Sequence, residues 1–479
     1  MTRWLLGLLL AVPTAAAAID WRDHLTLVAS DRIRGELVSW FAPPPGLTEP
    51  DAERYDFLGN QARLGFRLTF PHVQLAVDVQ DTRLVNLPSN ASLPAPQGNL
   101  GTGANYFFNT HRRDQGETFL KQGALALRGR GVTLTGGRFD YRDGLETLPA
   151  DPTLSFLKRQ RIAERLVGPF DFTHVTRSFD GARVAYDRPG WNDTAFLVVP
   201  TAGGFEISAD REIDEILVAG NALTWKRLPG WRWPTDVRLL WLYYDDQRED
   251  TVKVDNRPFD VRARDHEPIA IHTFGTHGVT AIDVGPGTLD ALVWAAFQIG
   301  DWGELDQRSW AYAVEVGYQL PRVALAPWLR IGIDRSSGDD DPNDRDHDTF
   351  FQLIPTPRIY AQLPFFNLMN DEDVFAMLIL RPHDRVTIRT DWHWLEVTEG
   401  RDLWYQGGGA TNDEVFGYAG APANGRHDLA QLIDVSLTWQ AHDRVTIGGY
   451  YGHAFGGDVV GQTYAGEDVD YGFVEMTLR

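Results

Sequence analysis

Arg385-Val386-Thr387-Ile388-Arg389-Thr390-Asp391-Trp392-His393-Trp394-Leu395 carries two surfaces in one run of chain. Successive side chains of a β-strand point to opposite faces. Val386, Ile388, Thr390, Trp392 and Trp394 therefore share one side, and Thr387, Arg389, Asp391 and His393 share the other. One face suits lipid and the other suits water. The same split recurs at Ala62 to Phe70, where Leu64, Phe66, Leu68 and Phe70 oppose Arg63, Gly65, Arg67 and Thr69. Val237 to Tyr243 and Trp328 to Arg335 repeat it.

Outward from these stretches, the chain is a succession of alternating segments of about ten residues, each ended by Gly, Pro, Asn or Asp. From Leu25 to Leu478 they number roughly eighteen, an even count within the range of outer-membrane barrels. Pro71-His72, Gly129-Arg130-Gly131 and Pro382 to Arg385 make tight connections, whereas Asn86 to Glu117 and Asp143 to Arg177 make long ones. Short turns at one end and long extracellular loops at the other are the asymmetry of a transmembrane antiparallel β-barrel. Trp241, Tyr243, Tyr244, Trp392, Trp394, Trp404, Tyr405, Tyr450 and Tyr451 gather near segment ends, as interfacial aromatic belts do. A soluble sandwich or propeller also uses large aromatics, but no repeat of propeller length is present.

The first residues set the destination. Arg3 supplies a positive region, Trp4 to Val12 an apolar run, and Ala15 to Ala18 small residues for cleavage, the plan of a secretory signal peptide. The expected organisation is a signal peptide over residues 1–18 and a single barrel domain over 19–479 in the bacterial outer membrane. No later run of eighteen apolar residues exists to make a membrane helix. The chain has no cysteine, so disulfides contribute nothing on the oxidising route out of the cell. A net charge of −21 opposes nucleic-acid binding. The mean hydropathy of −0.29 is compatible with a membrane barrel, because only alternate strand residues meet lipid.

Three stretches resemble the alginate-export outer-membrane porins. They are Gly137-Arg138-Phe139-Asp140-Tyr141 followed by Lys158 to Arg161 and Arg165 to Gly168; Arg177 to Arg183; and Ser337 to Asp344 with Thr349 to Pro355 and Asn367-Leu368. The resemblance implies an eighteen-stranded barrel narrowing to a ring of arginines, a conduit for an anionic exopolysaccharide. It also implies outer-membrane lipid and periplasmic secretion machinery as partners. Guanidinium groups match carboxylates bidentately and stay charged, so rings of arginine select anions.

By alternation, Arg63, Arg67, Arg138, Arg183, Arg330 and Arg389 are expected in the lumen, with Arg159, Arg161 and Arg165 on a loop able to fold inward. Each arginine has an equally good structural reading, as partner of Asp78, Asp140, Glu315, Asp334 or Asp391 on the same face. An uptake porin for small anionic or aromatic solutes is the alternative function. An enzyme ranks below both: Asp391 and His393 are its best pair, and no Gly-x-Ser-x-Gly, His-Glu-x-x-His or phosphate loop occurs. No cofactor is expected. Asp339, Asp341, Asn343 and Asp344 place oxygen ligands as calcium loops do, but without the glycine and terminal glutamate of an EF-hand, and a solvated acidic loop accounts for them more simply.

Overall fold

Strand β2 (Arg54–Thr69) shows how the alternation becomes a wall: Leu58 and Leu64 are exposed on its outer side, while Phe57 and Gln61 are buried on its inner side. The computed structural model describes residues 21–228, 230–357 and 360–479, and the signal peptide expected over 1–18 lies outside them. Strands β1 (Leu25–Ser39), β2, β3 (Val73–Val85), β4 (Gln115–Gly129), β5 (Val132–Phe139) and β6 (Phe179–Asp187) begin the sheet. It continues through β7 (Trp191–Pro200), β8 (Ile216–Trp225), β9 (Thr235–Asp246), β10 (Ile269–Val284), β11 (Gly287–Trp302) and β12 (Leu305–Gln319). Strands β13 (Trp328–Ser336), β14 (Asp371–His383), β15 (Val386–Val397), β16 (Asp428–His442), β17 (Val445–Gly456) and β18 (Asp468–Leu478) complete it.

Each strand pairs antiparallel with its neighbours, and β18 returns to β1, from Asp31 opposite Leu478 to Ser39 opposite Asp470. This closes an 18-stranded barrel. Closure satisfies every strand's hydrogen bonds inside the sheet, the condition for crossing lipid without an edge. The eight connections at the end that carries both termini include two-residue turns at 130–131, 285–286, 384–385 and 443–444. At the opposite end the connections are mostly long, including 86–114, 140–178, 337–370 and 398–427.

Two short helices stand in these loops, α1 (Thr102–Thr110) and α2 (Pro152–Leu157). The β15–β16 loop carries a small hairpin of Leu403–Gly407 against Tyr418–Pro422. Loops 140–178 and 337–370 are joined by backbone hydrogen bonds from Gly168 to Ile354 at 3.0 Å and from Ile354 to Leu166 at 3.0 Å. Leu157, Leu166, Val167, Phe350, Leu353 and Leu368 are buried there, so these loops form an apolar plug against the inner wall.

The aromatic belt is narrower than the sequence suggested. Trp392 and Trp394 stack at 4.2 Å on the outer face, and Tyr451 is also exposed. Tyr244 and Tyr450 instead point inward, and Trp404 and Tyr405 are buried in the hairpin, where the Trp404 indole N–H donates to the Phe365 carbonyl at 2.9 Å. On β18, Phe473 and Glu475 share the inner face while Val474 and Met476 face outward, which resolves their awkward shared parity.

Candidate functional site

The inner wall is lined with charge that the strand register puts there. On β1 the spacing Arg32-x-Arg34-x-Glu36 places all three inward, a strand-period signal that the sequence reading passed over. Arg34 donates to the Glu475 carboxylate at 2.8 and 2.6 Å and lies 4.5 Å over the Phe473 ring. On β2 and β3, Arg67 forks onto Asp78 with two bonds of 2.6 Å. Arg63 donates to Gln80 Oε1 at 2.7 Å and to Thr176 Oγ1 at 3.4 Å. Arg183 lies 5.7 Å over the Phe139 ring, and Arg389 pairs with Asp391.

Loop 140–178 enters the barrel through α2. Asp151 caps that helix by accepting the Leu154 N–H at 3.0 Å, and Pro152 fits the first turn, where no N–H partner is needed. One π-helical turn, Lys158–Ile162, follows and turns Lys158 and Arg161 to the wall. Lys158 reaches Asp236 at 3.0 Å, Arg161 donates to Glu315 at 2.8 Å, and Arg165 donates to Asp334 at 2.7 Å. Arg330 on β13 joins the same network through Asp290 and, at 2.7 Å, through Glu315. Arg161 also lies 4.7 Å over Phe375, and Arg165 5.2 Å over Trp294.

This arrangement corrects part of the expected arginine ring. Arg161, Arg165 and Arg330 are inside the barrel but 0% exposed, so no passing solute touches them. They hold the loop, as charges buried away from water must be matched in place. Arg138 is on the other side of the wall. It stands opposite Asp180 and shares the outward face of Leu134 and Val184, with its fork on Asp180 at 2.8 and 2.6 Å. Arg63, Arg67, Arg183 and Arg389 are inward and partly exposed, while Arg159, on the inserted loop, is exposed and makes no hydrogen bond or ion pair among the described residues.

The acidic stretch is built of turns. Asp339 accepts the Asp341 N–H at 3.0 Å, Asp341 accepts that of Asn343 at 3.0 Å, and Asp344 accepts that of Asp346 at 2.9 Å. Toward the long-loop end, a cavity of about 280 Å³ is lined by Trp40, Phe108, Phe170, Phe205, Tyr360 and Tyr418 among others. Arg177 closes it from behind, stacked 4.8 Å from Phe170 and donating to the Gly409 carbonyl at 2.7 Å. Aromatic faces of this kind hold flat or ring-shaped solutes by stacking and apolar contact.

Among solved structures, the barrel is similar to OccAB4 of Acinetobacter baumannii, with 9% identity, 94% of this chain and 97% of that one covered, and a TM-score of 0.55. OccK1 (OpdK) of Pseudomonas aeruginosa matches at 12% identity over 94% and 98% of the two chains, with a TM-score of 0.55. A structure of Pseudomonas aeruginosa OpdK with vanillate gives the same identity, 12%, and the same TM-score, 0.55, over 94% and 98%. No curated protein matches the sequence. The family model for alginate export matches residues 52–474. With the barrel closed and its outer face apolar, the chain is a channel of the bacterial outer membrane and not an enzyme, and it belongs to the alginate export family.

Proposed function

We propose that the channel passes an anionic, alginate-like saccharide along a path lined by Arg63, Arg67, Arg159, Arg183 and Arg389, delivered by secretion partners in the periplasm. The observation that carries this reading is the exposure left to those five after the buried network has taken Arg161, Arg165 and Arg330. Each of the five keeps part of its surface exposed, and guanidinium pairs with uronate carboxylates through planar double hydrogen bonds. Arg67 and Arg389 are each already paired with an aspartate, Asp78 and Asp391, so a carboxylate arriving there gains less than at a bare cation. Weak, repeated sites of this kind let a polymer move instead of sticking.

A second reading, uptake of small aromatic acids, is favoured by the aromatic cavity at the long-loop end. Single-channel recording in planar bilayers separates the two. The expected result is anion selectivity that falls in Arg159→Gln and Arg183→Gln and is unchanged in Arg138→Gln, whose side chain is on the outer face. Block by polyuronate supports the saccharide, and block by an aromatic monocarboxylate alone supports uptake. Cation selectivity, or equal behaviour of all three variants, overturns the arginine path.

A further inference from the structure

On the inner wall, Asp391 of β15 stands directly opposite Asp434 of β16. Like charges in register across two strands repel. Both aspartates are nevertheless buried, and His393, two residues along the same face, is buried with them. One ligand atom from each of the three lies within 4.8 Å of the others.

Their hydrogen bonds leave specific atoms over. His393 Nδ1 faces both oxygens of Asp373, at 2.9 and 2.8 Å, so an N–H sits on that side and Nε2 is turned away from it. Nε2 has no partner, and neither has Oδ1 of Asp391, whose Oδ2 is taken by Arg389. Asp434 accepts the Tyr450 hydroxyl at 2.9 Å through Oδ2. Counting Asp373, Asp391, Asp434 and Arg389, with histidine neutral, the cluster carries two net negative charges. Arg161 lies within the field of Asp391 too, but Glu315 and Asp334 already match its charge.

We propose that His393 Nε2, Asp391 Oδ1 and the Asp434 carboxylate bind a divalent transition-metal ion such as zinc. Three protein ligands of nitrogen and carboxylate type, with one position left open, suit that ion class. Asp373 fills the role of the carboxylate that orients a metal-binding imidazole through its other nitrogen. Ligand atoms around tetrahedral zinc stand about 3.4 Å apart, so closure from the present spacing takes small side-chain rotations. The open position faces a cavity of about 250 Å³ lined by Gln160, Gln362, Ser436 and Tyr450. The bound ion cancels the repulsion between Asp391 and Asp434 and ties β15 to β16 at the lumen surface. This goes beyond the transport reading and does not depend on the identity of the cargo.

The test uses the full-length protein in detergent, stripped with a chelator and titrated with Co²⁺ and then Zn²⁺. One Co²⁺ per chain is expected, with the visible absorption of a four- or five-coordinate ion, displaced by Zn²⁺. His393→Gln and Asp434→Asn weaken binding by about 100-fold or more, and Asp373→Asn by roughly 10- to 100-fold. His453→Gln, on the outer face beside Asp470, leaves it unchanged. Zinc X-ray absorption on the wild type shows a single imidazole among light-atom ligands, a result independent of how the variants fold. Absence of stoichiometric binding to the wild type, survival of the site in both His393→Gln and Asp434→Asn, or a shell with no imidazole or more than one overturns the proposal.

Discussion

Glu164 sits in the inserted loop with its side chain buried, pairs with Arg142, and has Asp171 and Thr356 as its other close polar neighbours. Burial, with Asp171 adding to it and Arg142 opposing, pushes its carboxyl up to about 7. A carboxyl raised in the folded state holds its proton more tightly than in the undocked loop. Its contribution to docking is therefore full near and below the ordinary value of 4.5 and is lost as pH rises through about 7. Open-channel noise from loop 140–178 is expected to be low at pH 5 and to grow toward pH 8, with the dependence flattened in Glu164→Gln. An unchanged pH slope in that variant would assign the effect to another group. At this scale the sequence was legible where parity and polarity agree: Arg63, Arg67, Arg183 and Arg389 all lie inward as the alternation requires. Arg138 was misplaced because its neighbour Phe139 is apolar yet inward, 6% exposed. Polarity marks the lumen face only where the lumen is wet.

Among the elements, loop 140–178 folds into the barrel and is pinned to its inner wall. Part of its hold is the set of Arg161 and Arg165 on Glu315 and Asp334, with Arg330 tied to Glu315 from the wall; Lys158 on Asp236 and Asp143 and Glu146 under Arg238 hold it elsewhere. Removing one charge from such a buried set strands the others at a cost of about 3–5 kcal/mol. Glu315→Gln is accordingly expected to loosen the stretch from Lys158 to Arg165, still tethered through Asp236 and Arg238, and to raise single-channel conductance while the barrel keeps its heat-modifiable migration on a gel. The strand ladder does not depend on Glu315, so loss of the barrel band would show that the network holds the wall as well. The carboxylate partners were already visible on the inner face of the sequence as alternatives to a pore ring. What alternation does not encode is which carboxylate an inserted loop will reach, because a loop has no strand period. The same limit applied to Trp404 and Tyr405, whose hairpin packs beneath the loops instead of at the membrane interface.

For the whole molecule, the outer face of β16 shows the membrane band: Ile433, Val435, Leu437 and Trp439 are all exposed and apolar. Val435 is midway along the strand. Arginine at the bilayer midplane of a barrel costs about 2–4 kcal/mol, so Val435→Arg is expected to lower unfolding free energy in lipid by that amount and to have little effect in detergent. A loss of equal size in both would mean that Val435 packs against protein. The alternating segments, their number, the asymmetry of their connections and the absence of a membrane helix were enough to determine an outer-membrane barrel of about eighteen strands. Those features are local, since a strand's two faces are written in its own residues. The tertiary structure alone decided that two loops fold back as an apolar plug, that three of the expected pore arginines are buried in ion pairs, that Arg138 faces outward, and that Asp391, His393 and Asp434 converge. Each depends on contacts between residues far apart in the chain, and whether a charge is free or matched is set by the partner that folding brings to it.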